Sequence, residues 1–341
     1  MGESAAAIAE HLLQMKLSSK EVQIFPHVRV DGDCLGSSAA MAMALNKLGI
    51  QAKVYMDEPV PERLEFIGLA PTLFEIFDHD KLDEYFDLQG IAMAVDCSEA
   101  ARMGRSGSLF AHASACLVID HHISSGMSAG LRYVNPKASA AAELVLEIIH
   151  ILENLTGSKL LDAQVSNCLM VGLQSDTGRF SYQNTTPKTF RAAAELLENG
   201  ANVYINAYNL FDVTNVERMR LTSLALSSAK FYFGGKLALT QVTQDMIREC
   251  KASEDASDGL AASLRDIKGV IVSFAVRETA DGEIRVNIRS HDPFDSAAFA
   301  AEFNGGGHHR AAGFSILDMS ILDVSKTIIE KAGEVISKNA T

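Results

Sequence analysis

The stretch EVQIFPHVRVDGDCLGSS, residues 21–38, decides how this chain folds. It opens with a predicted strand, EVQIFPHV (21–28), and runs into a predicted helix, SSAAMAMALNKLG (37–49), that ends at Gly49. Asp31 and Asp33 lie between the two elements, separated by a single glycine. Strands that alternate with helices imply a parallel sheet with right-handed crossovers, so this stretch predicts the start of an α/β domain.

Three further segments continue the same alternation. QAKVYMD (51–57), IAMAVDC (91–97) and ACLVIDHH (115–122) have strand length and are largely apolar, which indicates burial on both faces of a sheet. Helical segments follow, and we predict them over 138–154, 162–175 and 186–202. The fold class is therefore α/β, with a parallel sheet and flanking helices in the first domain.

The second half of the chain has a different pattern. One or two linking helices are predicted over 205–230, and from Phe231 onward short alternating strands appear, with a hairpin turn at 280–282. We predict a first domain over 1–190, a helical linker over 191–230 and a smaller mixed α/β domain over 231–341.

Composition excludes several classes of protein. Hydrophobic residues make up 48% of the chain and charged residues 21%, as in ordinary globular proteins. No apolar run reaches the roughly 18 residues that a membrane helix needs, and the first residues lack the basic start of a secretion signal. Five scattered cysteines without a CxxC pair argue against disulfides and favour a reducing compartment. We expect a cytoplasmic protein with no membrane partner.

The formal net charge is −13, and neither half carries a basic stripe. A protein that grips long DNA or RNA displaces counterions with a basic surface, which this chain lacks. We therefore expect short oligonucleotides or small nucleotides as substrates, and no long duplex partner. The sequence leaves the oligomeric state open, with a homodimer as one option.

Polar residues collect where the predicted strands end, which is where chemistry collects in parallel sheets. These residues are His27, Asp31, Asp33, Asp96, Asp120, His121 and His122. They form three features, one at the end of each of three predicted strands: His27 with Asp31 and Asp33, then Asp96, then Asp120 with the two histidines. Asp176, in GLQSDTGRF, is a fourth feature. Taken singly, each has an ordinary explanation, such as a turn, a helix cap or a packed core histidine. Four such features in one sheet point instead to a shared site.

Imidazoles combined with carboxylates suit Mn²⁺ best, with Fe²⁺, Co²⁺ or Mg²⁺ as lesser candidates. Two such ions roughly 3.5–4 Å apart can generate a hydroxide near neutral pH and clamp the oxygens of a phosphoester. We therefore predict two divalent cations as the cofactor of a phosphoesterase.

The motifs HVRVDGD, VDCS, DHH and SDTG together resemble the four motifs of the DHH phosphoesterase superfamily. FNGGGHHRAAGF (303–314) resembles the glycine-rich signature of the C-terminal domain that accompanies many members. Within that superfamily the chain is most similar to the bifunctional nanoRNases and pAp phosphatases, also described as exopolyphosphatase-related proteins. The resemblance extends over nearly the whole chain, with the motifs in the family's order.

The resemblance also implies a role for each site residue. One cation would be held by His27, Asp31 and Asp96, and the other by Asp33, Asp96, His121 and Asp176, so that Asp96 bridges. Asp120 would orient a neighbouring imidazole, and His122 would contact the scissile phosphate. The nucleophile would be the hydroxide between the two cations.

In the second domain, the resemblance implies that Arg289 contacts the substrate. Gly305, Gly306, Gly307 and His308 would form a loop whose amide groups cradle a phosphate, because consecutive glycines allow close backbone approach. One departure concerns the family's Ser-Ser-Thr, which is Ser139-Ala140-Ala141 here. It removes no proposed metal ligand but leaves the substrate preference open.

The leading hypothesis is hydrolysis of short oligoribonucleotides and of 3′-phosphoadenosine 5′-phosphate (pAp). The alternative is a phosphodiesterase for cyclic or linear dinucleotides such as c-di-AMP or pApA. A family II pyrophosphatase is disfavoured because its C-terminal domain lacks the GGGH signature. A catalytically silent nucleotide sensor is the alternative from another class, and the complete set of proposed ligands argues against it.

Overall fold

The computed structural model describes residues 4–122 and 130–338. It divides the chain into two compact units, Met1–Val213 and Thr214–Thr341. The division falls within residues 191–230, the segment predicted as a helical linker. None of the helices in the described ranges has the length and apolar character needed to span a membrane.

The first unit is built on a six-stranded parallel sheet with the strand order β3-β2-β1-β4-β5-β6, which confirms the predicted fold class. Its strands are β1 (Glu21–Phe25), β2 (Ala52–Met56), β3 (Phe74–Ile76), β4 (Gln89–Val95), β5 (Cys116–Asp120) and β6 (Leu131–Val134). The two central strands, β1 and β4, are neighbours, but the chain leaves them toward opposite edges of the sheet. Their carboxyl ends therefore flank the topological switch point, where open α/β sheets bind ligands.

The helices of this unit are α1 (Ala5–Leu13), α2 (Gly32–Lys47), α3 (Leu82–Leu88), α4 (Gly107–Ala111), α5 (Ala141–Thr156), α6 (Ala163–Asp176), α7 (Pro187–Glu198) and α8 (Val203–Ala207). A π-helical turn, Tyr208–Asp212, follows α8. The apolar residues of α2, α5 and α6 form one buried core with the central strands. This packing fixes the start of α2 and the end of α6, which carry Asp33 and Asp176.

The predicted start of α2 was wrong. We expected a helix from residue 37, whereas α2 begins at Gly32 and its N-cap is Asp31. A Cβ on Gly32 would lie 2.8 Å from Ser175 Cβ, and one on Gly36 would lie 2.3 Å from the Cys168 carbonyl oxygen. These glycines are therefore needed for close packing of α2 against α6, and not for a turn.

The second unit contains a mixed six-stranded sheet in the order β11-β12-β10-β9-β8-β7, which agrees with the predicted mixed α/β domain. Its strands are β7 (Lys230–Tyr232), β8 (Leu237–Val242), β9 (Val272–Glu278), β10 (Ile284–Ser290), β11 (Gly306–His308) and β12 (Ala311–Ile316). Its helices are α9 (Val216–Ser227), α10 (Gln244–Cys250), α11 (Leu260–Arg265), α12 (Ser296–Ala301) and α13 (Ile321–Lys338). The predicted hairpin turn joins β9 to β10, and Gly282 adopts a φ of +81° there.

Candidate metal centre and ligand face

The structure brings seven of the predicted side chains of the first unit together at the switch point. Side chains there form three groups of possible metal ligands, and within each group the ligand atoms lie within 4.8 Å of one another. Neighbouring groups share a residue. The groups are His27, Cys34 and Asp96; Asp96, His121 and His122; and Asp33, His121 and Asp176. Asp31 lies beside the first group, with its Oδ2 3.9 Å from His27 Nε2.

Asp33 is fully buried in the first turn of α2. Its Oδ1 accepts hydrogen bonds from Ser37 Oγ at 2.9 Å and from the Ala142 amide at 3.0 Å, and its Oδ2 accepts one from the Ala141 amide at 2.5 Å. Both amides belong to the first turn of α5, which carries the positive end of that helix dipole. Backbone donors therefore fix the orientation of this carboxylate.

His27 and Asp31 approach the site from the loop between β1 and α2. The Oδ1 atom of Asp31 caps α2 by accepting the amides of Asp33 and Cys34, each at 3.0 Å. The ordinary explanation of Asp31 as a cap therefore holds, and its second oxygen still faces His27. His27 Nδ1 lies 2.8 Å from the Val28 carbonyl oxygen, which leaves Nε2 directed at Asp96 Oδ2, 3.5 Å away.

Asp96 follows β4 directly and adopts a φ of +59°, in the left-handed region that residues other than glycine rarely occupy. Its Oδ1 lies 3.3 Å from His121 Nε2, and its Oδ2 faces His27. The two oxygens of one carboxylate thus point to two different imidazoles. This is the geometry that a bridging ligand requires, and backbone strain of this kind concentrates at functional sites.

The Nε2 atom of His121 is the point on which three carboxylates converge. It lies 3.1 Å from Asp176 Oδ2, 3.3 Å from Asp96 Oδ1 and 3.8 Å from Asp33 Oδ2. Asp176 is the last residue of α6, so it reaches the site from a helix end, whereas the other carboxylates approach from strand ends or from α2.

The electrostatics of this cluster favour bound positive charge. Burial, followed by repulsion from Asp96 and Asp176, holds the pKa of Asp33 well above its usual range. Burial alone would lower the pKa of His121, but the adjacent carboxylates of Asp176 and Asp96 raise it to about 12. Burial opposes ionisation of Asp96, yet the adjacent imidazoles of His121 and His27 outweigh that effect and lower its pKa. Cations would remove the repulsion among these carboxylates.

His122 is oriented by Asp120, the carboxylate predicted to orient a neighbouring imidazole. Asp120 Oδ1 lies 2.7 Å from His122 Nδ1 and accepts the His122 amide at 3.1 Å. With Nδ1 as the donor to Asp120, the Nε2 edge of the ring faces away from that carboxylate. His122 Nδ1 also lies 3.5 Å from Asp96 Oδ1, so the ring stands next to the metal cluster.

Cys34 lies in the first metal-binding group, although none of the predicted ligands is a cysteine. Its Sγ accepts the His27 amide at 3.2 Å and lies 3.7 Å from the Val95 carbonyl oxygen. Burial raises the pKa of this thiol well above its usual range. A protonated thiol is a poor ligand, so this environment agrees with a packing role.

In the second unit, two of the predicted substrate-binding residues lie in one row across the sheet. Ala311 pairs with His308 on β11 on one side and with Arg289 on β10 on the other. Directly paired residues of antiparallel strands project from the same face, so His308 and Arg289 share a face with a small alanine between them. The next row of that face contains Gly306, Gly313 and Asn287. Because two of these residues have no side chain, the sheet surface in this row is also open.

The residues predicted to form a glycine-rich loop do not form one: Gly306–His308 are the edge strand β11, and Gly305 immediately precedes it. A Cβ on Gly305 would lie 2.4 Å from the Gly313 carbonyl oxygen, and one on Gly307 would lie 2.5 Å from the Ala311 carbonyl oxygen. These two glycines are needed for tight strand packing. Gly306 has no atom within 4 Å of such a Cβ, so packing within the described residues does not explain it.

A cavity of about 250 Å³ opens beside this row of residues. It is lined by Asp258, Gly259, Ala261, Ala262, Asn287 and Arg289. The cavity and the row together form a face in the second unit that we call the ligand face, defined by Asn287, Arg289, Gly306 and His308. Its guanidinium, amide and imidazole groups suit phosphate and base edges.

Comparison with known families matches both units. Residues 21–173 match the DHH family, N-terminal domain, and residues 234–338 match the DHHA1 domain. The DHH match contains every predicted ligand of the metal cluster except Asp176, and the DHHA1 match contains the whole ligand face.

Individual proteins match over most of the chain. A bifunctional oligoribonuclease and PAP phosphatase from Thermus thermophilus is 28% identical over 95% of this chain and 93% of its own length. The protein of the same description from Bacillus subtilis is 26% identical over 85% and 87%. An exopolyphosphatase-related protein from Bacteroides fragilis has a similar fold, with a TM-score of 0.87 and 23% identity over 97% of this chain and 98% of its own.

Proposed function

The chain belongs to the DHH family and carries a DHHA1 domain, and from that membership we propose that it hydrolyses short oligoribonucleotides and pAp as a metal-dependent phosphoesterase. The observation that carries the proposal is the convergence of three carboxylates, Asp33, Asp96 and Asp176, on the His121 Nε2 atom. The relatives from Thermus thermophilus and Bacillus subtilis are named for these two activities.

The residues of the cluster fit divalent cations. Asp96 Oδ1 and His121 Nε2 are both buried and form no hydrogen bond of good geometry within the described part of the chain. Unsatisfied buried polar atoms are costly, and a metal ion would satisfy both. The mixture of imidazole and carboxylate favours Mn²⁺.

We assign His27, Asp31 and Asp96 to one cation. The other cation has four assigned ligands, with Asp96 shared between the two: Asp33, Asp96, His121 and Asp176. When bound, the two cations supply a hydroxide near neutral pH and neutralise charge on the phosphoester oxygens.

The side chains around the cations perform the remaining tasks. Asp120 holds the imidazole of His122 in one orientation, and we assign the Nε2 edge of that ring to contact with the scissile phosphate. Asp33 is held by the amides of Ala141 and Ala142, so it needs no rearrangement to act as a ligand. The site is thus organised before substrate arrives.

The ligand face supports a small substrate. Arg289 and His308 offer a forked cation and an imidazole above a floor of glycine and alanine, which suits a terminal phosphate or a base edge. The net charge of −13 provides no basic path for a long strand. We place the protein in the cytoplasm, where its five unpaired thiols stay reduced.

A substrate panel with Mn²⁺ tests the proposal by kcat/KM. The panel contains pAp, RNA dimers to pentamers, a long RNA oligomer, c-di-AMP, pApA and pyrophosphate. We expect pAp and the short RNAs to exceed the long oligomer by about tenfold or more, since the long strand lacks counterion release along a basic surface.

Asp96→Asn is the matched control, because it keeps the shape of the side chain and removes its charge. Activity equal to that of the wild type in this variant would come from a contaminating nuclease. Preference for c-di-AMP or pApA would replace the proposed substrate with a dinucleotide, and preference for pyrophosphate would refute it. Tight pAp binding without phosphate release would identify a sensor.

A further inference from the structure

The side chain of Asn184 joins two segments of the first unit that are distant in sequence. Its Nδ2 group donates a hydrogen bond to the Ser139 carbonyl oxygen at 2.9 Å and another to the Asp176 carbonyl oxygen at 3.1 Å. One amide group has two N–H donors, so both are used here. Asn184 lies outside the four quoted motifs and outside the predicted ligand set.

Each of these carbonyl groups belongs to a segment that supplies the same cation site. Asp176 is itself an assigned ligand at the end of α6. Ser139 lies just before α5, whose first amides, those of Ala141 and Ala142, hold the carboxylate of Asp33. Asn184 therefore links the backbone that carries one ligand to the backbone that orients another.

The Ser139 segment has a second, independent anchor. Glu143 is buried and accepts hydrogen bonds from Ser139 Oγ and from Thr189 Oγ1, each at 2.6 Å. Thr189 belongs to the first turn of α7, only five residues beyond Asn184. The segment 184–189 thus restrains Ser139 twice, directly at its carbonyl group through Asn184 and indirectly at its hydroxyl group through Thr189 and Glu143.

The chain beyond Asp176 needs such a restraint. Gly178, Arg179 and Phe180 have φ values of +51°, +61° and +65°, so three consecutive residues are left-handed. Left-handed residues other than glycine cost free energy and persist only where surrounding contacts determine them. The Asn184 bond to the Asp176 carbonyl oxygen closes this turn from its far end.

We infer that Asn184 is a positioning residue, which sets the distance between Asp33 and Asp176 and thereby the affinity of the cation site that they share with His121. The inference rests on the proposed function, because it takes these side chains as metal ligands. Both hydrogen bonds of Asn184 Nδ2 go to main-chain carbonyl oxygens, so we take it to act through the two main-chain segments.

The test is a Mn²⁺ titration of metal-free protein, with free Mn²⁺ measured by electron paramagnetic resonance. Asn184→Ala removes both donors, and Asn184→Asp removes them while keeping the shape. We expect both variants to bind one of the two Mn²⁺ ions about tenfold more weakly, at the lower end of the effect of groups that support ligands. Binding of the other ion should stay as in the wild type.

Asn199→Ala is the matched control, since Asn199 Nδ2 also donates to a main-chain carbonyl oxygen, that of Glu195 at 3.0 Å, away from the cluster. It should lose comparable thermal stability and keep both Mn²⁺ affinities. Thermal melts of metal-free protein show whether the Asn184 variants fold, and Asn184→Ser provides a single-donor variant expected to have intermediate affinity.

Two outcomes separate this inference from the proposed function. If wild-type protein binds two Mn²⁺ ions and hydrolyses pAp, while Asn184→Asp binds both ions as tightly as the wild type, Asn184 only fills space and the inference is wrong. If wild-type protein binds two Mn²⁺ ions, Asn184→Ala weakens one site, and no phosphoester is hydrolysed, the proposed function fails and the positioning role stands.

Discussion

The metal cluster of the first unit and the ligand face of the second unit differ in what they require of the fold. The cluster buries charged groups that repel one another, and Asp33 and Asp96 are at most 2% exposed. The ligand face lies on a sheet surface, where Gly306 and His308 are exposed. A substitution in the buried cluster should therefore alter metal binding, stability and catalysis together. A substitution on the exposed ligand face can alter substrate binding without changing stability. The predictions below test that difference.

The largest effect is expected for Asp96→Ala. This residue faces both His27 and His121, so its loss removes a ligand from each cation. We expect kcat for pAp to fall about 1,000-fold or more, and both Mn²⁺ ions to bind weakly. Metal titration and single-turnover kinetics measure the two effects. Two ions bound with unchanged affinity would show that Asp96 does not bridge.

His122→Ala should have the next largest effect and should separate rate from metal binding. The imidazole is held by Asp120 and is assigned to the phosphoester, so kcat should fall about 100-fold. Both Mn²⁺ affinities should stay close to those of the wild type, because His122 is in neither assigned ligand set. Loss of Mn²⁺ in this variant would instead make His122 a ligand and reverse the roles of the two adjacent histidines.

The sequence predicted the first sheet better than the details of the site. The strands β1, β2, β4 and β5 were predicted because they are apolar and of ordinary length. The edge strand β3 has only three residues and β6 has four half-buried ones, so neither has a clear pattern. Short edge strands depend on tertiary pairing, which local sequence does not record.

Within the site, side-chain ligands could be predicted and backbone donors could not. Asp, His and glycine have recognisable chemistry, and their spacing matched a known family. The amides of Ala141 and Ala142 hold Asp33, yet any residue type would provide the same N–H groups. In the sequence, the notable feature of this segment is that alanines replace two hydroxyl residues of the family. In the structure, the segment contacts the site through its main-chain amides.

Glycine substitutions on β11 test the exposed face. Gly306→Ala places a methyl group in open space, so the melting temperature should stay unchanged while KM for pAp rises about tenfold. Gly307→Ala should instead destabilise the second unit by about 1–3 kcal/mol, because its φ is +143° and its Cβ would lie 2.5 Å from the Ala311 carbonyl oxygen. Thermal melts and kinetics distinguish the two. An unchanged KM in Gly306→Ala would remove this position from the ligand face.

The smallest effect is expected from the pH dependence of the turn between β11 and β12. His309 Nε2 lies 3.1 Å from Asp292 Oδ1 and its Nδ1 lies 3.0 Å from Asp295 Oδ2, while Arg310 also pairs with Asp292. Hydrogen bonds to Asp292 and then Asp295 raise the pKa of His309 above 6.5. The ion pairs of protonated His309 therefore stabilise the turn fully below about pH 6.5, and this stabilisation is lost as pH rises through the raised pKa.

The measurement is an NMR titration of the His309 imidazole, together with KM for pAp from pH 6 to pH 9 in wild-type protein and in His309→Gln. Because His309 is exposed, solvent screens its ion pairs and the change in KM should be small. It should be absent in His309→Gln, whose side chain does not titrate. A His309 pKa at or below 6.5 would mean that the carboxylates do not hold this turn, and Arg310 would then be its only charged anchor among the groups described here.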